Sequence, residues 1–198
     1  MGSFCKVRNY GRVIGGTNGA GIFYTTGTGN PSIGGASKNR VTGSPSLSAS
    51  GTYDGSVESV FGVSSIELRS MATLVVTNSN DFPDPIPSNS IVYADVSNIS
   101  FDSLRNLSGT GVVYINGDVS LMSGNNSSFN GLLYVNGDFT MRETSDIYGA
   151  LVCTGAVTLK GSGDYATVSY DDSALAILRT HIGQYIWVGA FRSVINHE

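Results

Sequence analysis

The sequence predicts an all-β protein, a parallel β-solenoid (β-helix) with right-handed coils and two short capping or covering helices. Alternating residues enclosed by two glycines recur in four segments, which are 21–27, 111–117, 131–137 and 149–155. The last three begin 20 and then 18 residues apart, and each continues into a second short alternating unit. Glycine accounts for 26 of the 198 residues, as tight turns require. Self-similarity at a short fixed period is typical of stacked coils, whose parallel connections are right-handed.

The alternation assigns the side chains that point into the solenoid. Residues two apart in a strand share one face, so each coil contributes apolar side chains at equivalent positions. Asn116-Gly117 and Asn136-Gly137 mark a sharp corner between the two strands of a coil, because glycine accepts a positive φ. We therefore expect four core columns with a spacing of about 4.8 Å between coils. These columns are 113/133/151, 115/135/153, 119/139/157 and 121/141/159.

The repeats also define the expected organisation of the chain. Residues 1–19 are interpreted as the remnant of an expression tag, Met1-Gly2-Ser3, followed by an N-terminal segment. Residues 20–198 are interpreted as one solenoid domain, with coils over about 20–60 and 111–168. The segment 61–110 between them is expected to interrupt the coils with a helix and strands.

The inserted segment has its own local signals. Ser64 is followed three residues later by Glu67, the pattern of a capping box, and the apolar residues after it predict a helix over 64–72. Strands are expected over 74–76 and 90–96, joined by a proline-rich extended linker over 81–87.

The last part of the chain is expected to cover the solenoid. Asp171 or Asp172 is a suitable N-cap for a helix over 172–180, and Gly183 is a natural stop. Residues 185–195 predict a terminal strand or strand pair, so a C-terminal helix and strand occupy 171–195.

A column of aromatic residues lies on the outward face of the first strand. It contains Tyr24, Tyr114 and Tyr134, with Val152 in the fourth coil. One interpretation is that the helix at 64–72 or the strand at 184–195 covers this face. The other is that an exposed tyrosine stripe binds a partner.

Two further sets of side chains, a pair of cysteines and a pair of aspartates, are candidates for chemistry. Cys5 and Cys153 are either buried thiols or the two halves of a disulfide, which spacing alone does not decide. Asp118 and Asp138 would stack one coil apart at a corner, where they either hold Ca²⁺ or accept hydrogen bonds from turn N–H groups. The calcium interpretation is the weaker of the two, and we expect no cofactor and no metal site.

Composition and motifs exclude several classes of function. The net charge of −4 offers no basic footprint for nucleic acid, and no apolar run is long enough to span a membrane. Neither a G-x-S-x-G elbow nor a GxxxxGK[ST] loop occurs. We therefore expect a non-catalytic protein.

The unit at 111–121, repeated at 131–141 and 149–159 and followed by Val168-Ser-Tyr-Asp171, resembles the C-terminal region of bacterial PilX-like pilus-assembly proteins. The resemblance implies an exported, minor-pilin-like surface protein that acts in the assembly or adhesion of a type IV pilus. It implies other pilus subunits, or a surface ligand such as a glycan, as partners. Such a protein meets the membrane only through an apolar N-terminal helix, which this sequence lacks.

Function is thus expected to be structural or adhesive, at the cell surface and associated with a pilus. Similar coils also occur in bactofilin-like polymers and in exported β-helix adhesins. The alternatives are therefore a self-assembling scaffold that stacks solenoid ends, or a β-helix that binds polysaccharide.

Overall fold

The computed structural model describes residues 5–17, 19–25, 30–35, 40–50 and 54–176. Most of the chain is strand, and parallel strands stack into a β-solenoid of about five turns, which confirms the predicted fold class. The elements are β1 (Cys5–Ile14), β2 (Ile22–Thr25), β3 (Ser32–Gly34), β4 (Arg40–Thr42), β5 (Leu47–Ser50), α1 (Val57–Phe61), α2 (Ser65–Met71), β6 (Leu74–Val76), β7 (Ile86–Phe101), β8 (Ser108–Leu121), β9 (Ser128–Asn136), β10 (Phe139–Arg142), β11 (Ser145–Cys153) and β12 (Val157–Tyr170).

The central coils have the predicted register. Val113 lies opposite Leu133, which lies opposite Leu151, and the other three columns continue from coil to coil in the same way. In the first two coils every column residue is at most 1% exposed. The four core columns are confirmed, and they form one apolar core along the solenoid axis.

A further coil lies within the segment that was expected to interrupt the repeats. β7 pairs with β8 in parallel, so that Tyr93 lies opposite Tyr114 and Phe101 opposite Leu121. The predicted interruption over 61–110 is therefore corrected for residues 86–101. The sequence pattern does not reveal this coil, because it has Ser90 where the next coil has Gly111. Its pairing register with β8 also shifts between Asp95 and Asn98.

The first described residues, 5–14, form part of a coil that stacks after β12. β1 pairs in parallel with β12, with Cys5 opposite Val157 and Val13 opposite Val168. β3 and β4 stack on β1, so the sheet order is β3-β1-β12-β11-β9-β8-β7-β6. Residues 5–14 therefore belong to the solenoid itself, which corrects their placement in a segment outside it.

Two short helices lie outside the coils before β6. α2 has the predicted capping box, in which the Ser64 N–H donates to Glu67 Oε2 at 2.8 Å and the Glu67 N–H donates to Ser64 Oγ. The Ser64 hydroxyl also donates to Glu67 Oε2, and this hydrogen bond, followed by the one from the Ser64 N–H, lowers the pKa of Glu67. The helix α1, with Ser56 as its N-cap, was not predicted. The strand over 74–76 is confirmed as β6.

Residues 172–176 are helical, in agreement with the helix predicted over 172–180 as far as the described residues extend. The rest of that helix and the strand predicted over 185–195 lie outside the described residues. Within the described ranges, no helix is long and apolar enough to cross a membrane.

Candidate functional site

The tyrosine column is a buried stack in the central coils. Tyr93, Tyr114 and Tyr134 are stacked, with ring centroids 4.6 and 5.3 Å apart. Tyr114 is 2% exposed and Tyr134 is 1% exposed. Burial, followed by the neighbouring hydroxyls of Tyr93 and Tyr134, raises the pKa of Tyr114.

The helices α1 and α2 supply the cover. The Phe61 ring lies 5.5 Å from the Tyr134 ring, and Val57 and Leu68 complete the apolar cluster. The Tyr134 hydroxyl donates to the Gly55 carbonyl at 2.7 Å. The exposed binding stripe is thus corrected for Tyr114 and Tyr134, and the covered interpretation describes them.

Tyr24 does not belong to this column. Its strand, β2, pairs with β5, and Ile22 packs against the solenoid core. Because side chains alternate along a strand, Tyr24 lies on the same inward side as Ile22. Its hydroxyl donates to Asn30 Oδ1 at 3.2 Å.

The stacked aspartates hold successive coils together. The Asp138 N–H donates to Asp118 Oδ1 at 2.8 Å, and the Ala156 N–H donates to Asp138 Oδ1 at 2.8 Å. Of the two interpretations, acceptance from turn N–H groups is the one that the structure shows. The described residues contain no group of three or more His, Cys, Asp or Glu side chains that could hold a metal ion.

A second polar ladder runs beside the aspartates. Asn116 Nδ2 donates to Asp95 Oδ1 at 2.9 Å, and Asn136 Nδ2 donates to Asn116 Oδ1 at 2.8 Å. The Thr154 hydroxyl extends the ladder by donating to Asn136 Oδ1 at 3.0 Å. These side chains connect four successive coils.

A buried asparagine at another corner was missed by sequence reasoning. Asn125 is fully buried; its Nδ2 donates to Ser145 Oγ and its Oδ1 accepts from the Ser127 N–H, both at 2.7 Å. Ser127 Oγ in turn accepts from the Leu107 N–H at 2.9 Å. The neighbouring coils have no asparagine at the position of Asn125, so no repeated pattern marked it.

An opening in the described structure lies between β11 and β2. Residues 150–153 of β11 pair with β9 along one edge, and β12 leaves the other edge after Tyr170. Among the described strands, none pairs with that second edge. A cavity of about 770 Å³ lies there, with β2 on its opposite side.

The cavity exposes part of the apolar core. Leu151, Cys153 and Val157 line it and are half-buried, whereas their column partners in the preceding coils are fully buried. Tyr24 and Cys5 also line it, so the structure brings together three of the residues singled out from the sequence. This cavity is the candidate binding site.

The two cysteines are thiols, and no disulfide joins them. Cys153 Sγ donates to the Gly137 carbonyl at 3.1 Å. Burial raises the pKa of Cys5 to about 11 and that of Cys153 to about 11. The buried-thiol interpretation therefore describes both.

We expect the two buried thiols to make the stability of the fold depend on alkaline pH. Because their pKa values are raised from 9.0, the folded state holds these protons more tightly than the unfolded state. The stability that they contribute is present below pH 9 and is lost as pH rises toward 11. Urea unfolding across this range should show a steeper loss for the natural chain than for Cys5→Ala/Cys153→Ala. Identical pH profiles for the two proteins would contradict the assignment.

Comparisons of this chain with protein-family models, curated proteins and solved structures gave no match. The PilX-like resemblance thus stays a prediction.

Proposed function

We propose that this protein is a non-catalytic, exported structural or adhesive protein of a type IV pilus-like system, with the solenoid as its minor-pilin-like head. Its partners would be other pilus subunits or a surface ligand such as a glycan, and its location the cell surface. The repeated coils that resemble PilX-like proteins support the choice of system.

The use of the repeated polar residues supports a structural role. Asp118 and Asp138 accept backbone N–H groups of the next coil, and Asn116 and Asn136 bond to each other. Side chains that repeat along the solenoid are thus engaged in stacking the coils. A stack in which each coil contacts its neighbours forms a rod, and a rod can hold a binding surface away from its attachment point.

The experiment is to locate the protein in the organism that encodes it. We expect an antibody against the solenoid to detect it in the sheared pilus fraction, and to lose that signal in a strain that assembles no pili. A coding sequence upstream with a short leader and an apolar helix of about 20 residues would agree with this role. Recovery in the cytoplasmic fraction of both strains would contradict the proposal.

A second candidate function, end-to-end self-assembly into a scaffold, is favoured by the two ends of the rod. At one end Ile33 continues the core position of Val7 and is 40% exposed. At the other end Leu74 continues the core position of Val92 and is 37% exposed. Apolar core positions open to solvent at both ends are suited to contact with a second copy.

Electron microscopy at increasing protein concentration tests this candidate. Self-assembly predicts filaments that disappear in Leu74→Lys and persist in Leu104→Lys, because Leu104 is 90% exposed and lies outside the solenoid core. A monomer at every concentration would reject this candidate and leave the pilus proposal unaffected.

A further inference from the structure

The opening between β11 and β2 lies where the stack of coils would place one more strand. On two sides of the solenoid β12 lies between its neighbours, because its first half pairs with β10 and β1 and its second half with β11 and β1. On the third side, β11 and β2 are the next described strands in the stack. One coil therefore lacks its strand on this side among the described residues.

Both rims of this gap present strand edges. The outer edge of residues 150–153 and the edge of β2 turned away from β5 border the cavity. Backbone N–H and C=O groups at strand edges require hydrogen-bond partners, and an open edge readily takes up another strand. The half-buried Leu151, Cys153 and Val157 beneath them provide an apolar floor.

A segment near the end of the same chain has the same glycine spacing as the strands that stack on the side of the solenoid where the opening lies. Gly183 and Gly189 are six residues apart, like the glycines that bound 111–117, 131–137 and 149–155. Aligned with 149–155, the segment 183–189 has Tyr185 and Trp187 at the inward positions of Leu151 and Cys153. Two aromatic side chains, each able to bury about 150–250 Å² of surface, suit the apolar floor of this cavity.

The connection to this segment is short and begins at the opening. Asp172 lines the cavity, and the helix that starts there is described as far as Ala176. Six residues lie between the last described residue, Ala176, and Gly183, and six residues, 15–20, also separate β1 from Gly21 at the same corner. A short tether gives a millimolar effective concentration, which favours the chain's own segment over a separate ligand.

We infer that the opening is a strand-docking site and that segment 183–189 of the same chain occupies it, parallel to β11 and β2. Main-chain hydrogen bonds to both rims provide the binding, and Tyr185 and Trp187 close the core. This inference is independent of the pilus proposal, since it concerns how the solenoid is completed.

Trp187 is the single tryptophan of the chain and reports directly on this site. We expect its fluorescence in the full-length protein to be blue-shifted and protected from acrylamide. Ile186→Pro removes a strand N–H and should abolish that protection, lower the Tm by about 10 °C, and speed alkylation of Cys153. The matched control Asn196→Pro, which lies beyond the docking segment and beyond the predicted helix and strand, should change none of these readings.

Three results would overturn the inference. One is a Trp187 that is freely quenched in the natural chain. Another is an Ile186→Pro protein that still unfolds cooperatively with the reactivity of Cys153 unchanged. The third is protection that appears only in a dimer and vanishes on dilution, which would assign the segment to a second copy instead.

Discussion

Leu133→Asp should prevent folding of the whole solenoid. Leu133 is completely buried, between Val113 in the coil before it and Leu151 in the coil after it. An unpaired carboxylate in such a core costs several kcal/mol, a large part of the 5–15 kcal/mol of a typical domain. We expect circular dichroism to show no cooperative thermal transition, and the chain to accumulate in the insoluble fraction.

The matched control places the same charge on the outside of the same sheet. Ser100 is exposed on β7, so Ser100→Asp adds a carboxylate that stays in water. Its Tm should stay close to that of the natural protein. A soluble Leu133→Asp protein with an unchanged Tm would contradict the assignment of the core columns.

Gly131→Ala should destabilise the protein by about 3 kcal/mol, because two backbones meet at this corner. Gly131 has a φ of +147°, and a Cβ placed on it would collide with the carbonyl oxygen of Gly111 in the preceding coil. Gly149 lies equally close to the Gly131 carbonyl oxygen. A backbone shift that relieved the collision at Gly131 would therefore create one with the next coil. Urea unfolding measures the loss.

Gly163→Ala is the control for this prediction. It measures the cost of a positive φ without a collision between coils. Gly163 also has a positive φ, +87°, but nothing lies within 4 Å of the added Cβ. This variant should lose only about 1 kcal/mol. If both substitutions cost the same, close approach of the coils at Gly131 is not what requires glycine there.

The sequence predicted the central coils well because the same residue types recur at the same spacing. Val113, Leu133 and Leu151 are aligned by the glycines on either side, and alternation then decides which side chains are buried. The capping box depends only on Ser64 and Glu67, three residues apart, so it too could be predicted from sequence, and it is present.

The coils that were wrongly assigned from the sequence lack the bounding glycines of the central repeats. β1 has no glycine at its start, and its charged residues Lys6 and Arg8 flank Val7, so a tag-adjacent segment was a reasonable interpretation. Tyr24 was assigned to the outward tyrosine column because its segment resembles the repeated units in sequence. In the structure Ile22, two residues before it, packs inward, so Tyr24 lies on the inward side as well. A shift of one residue reverses the face of every side chain in a strand.

The cavity could not be predicted from local patterns at all. It exists because β1 stacks on β12, while the chain leaves the stack at Asp171. Similar coils do not specify their order in space, so the contact of the first strand with the last described one is decided by tertiary packing. Cys5 and Cys153 share a cavity for the same reason.

The stacking of β1 on β12 supports both the coil order and the strand-docking site, and a disulfide tests it most directly. Lys6 lies opposite Thr158, and parallel neighbours about 4.8 Å apart are within disulfide range. In a Cys5→Ser/Cys153→Ser background, Lys6→Cys/Thr158→Cys should form an intramolecular bond on mild oxidation, seen by peptide mass spectrometry. The pair Lys6→Cys/Ser100→Cys, on distant coils, should not. Absence of the first bond, or its formation only between two chains, would contradict this coil order.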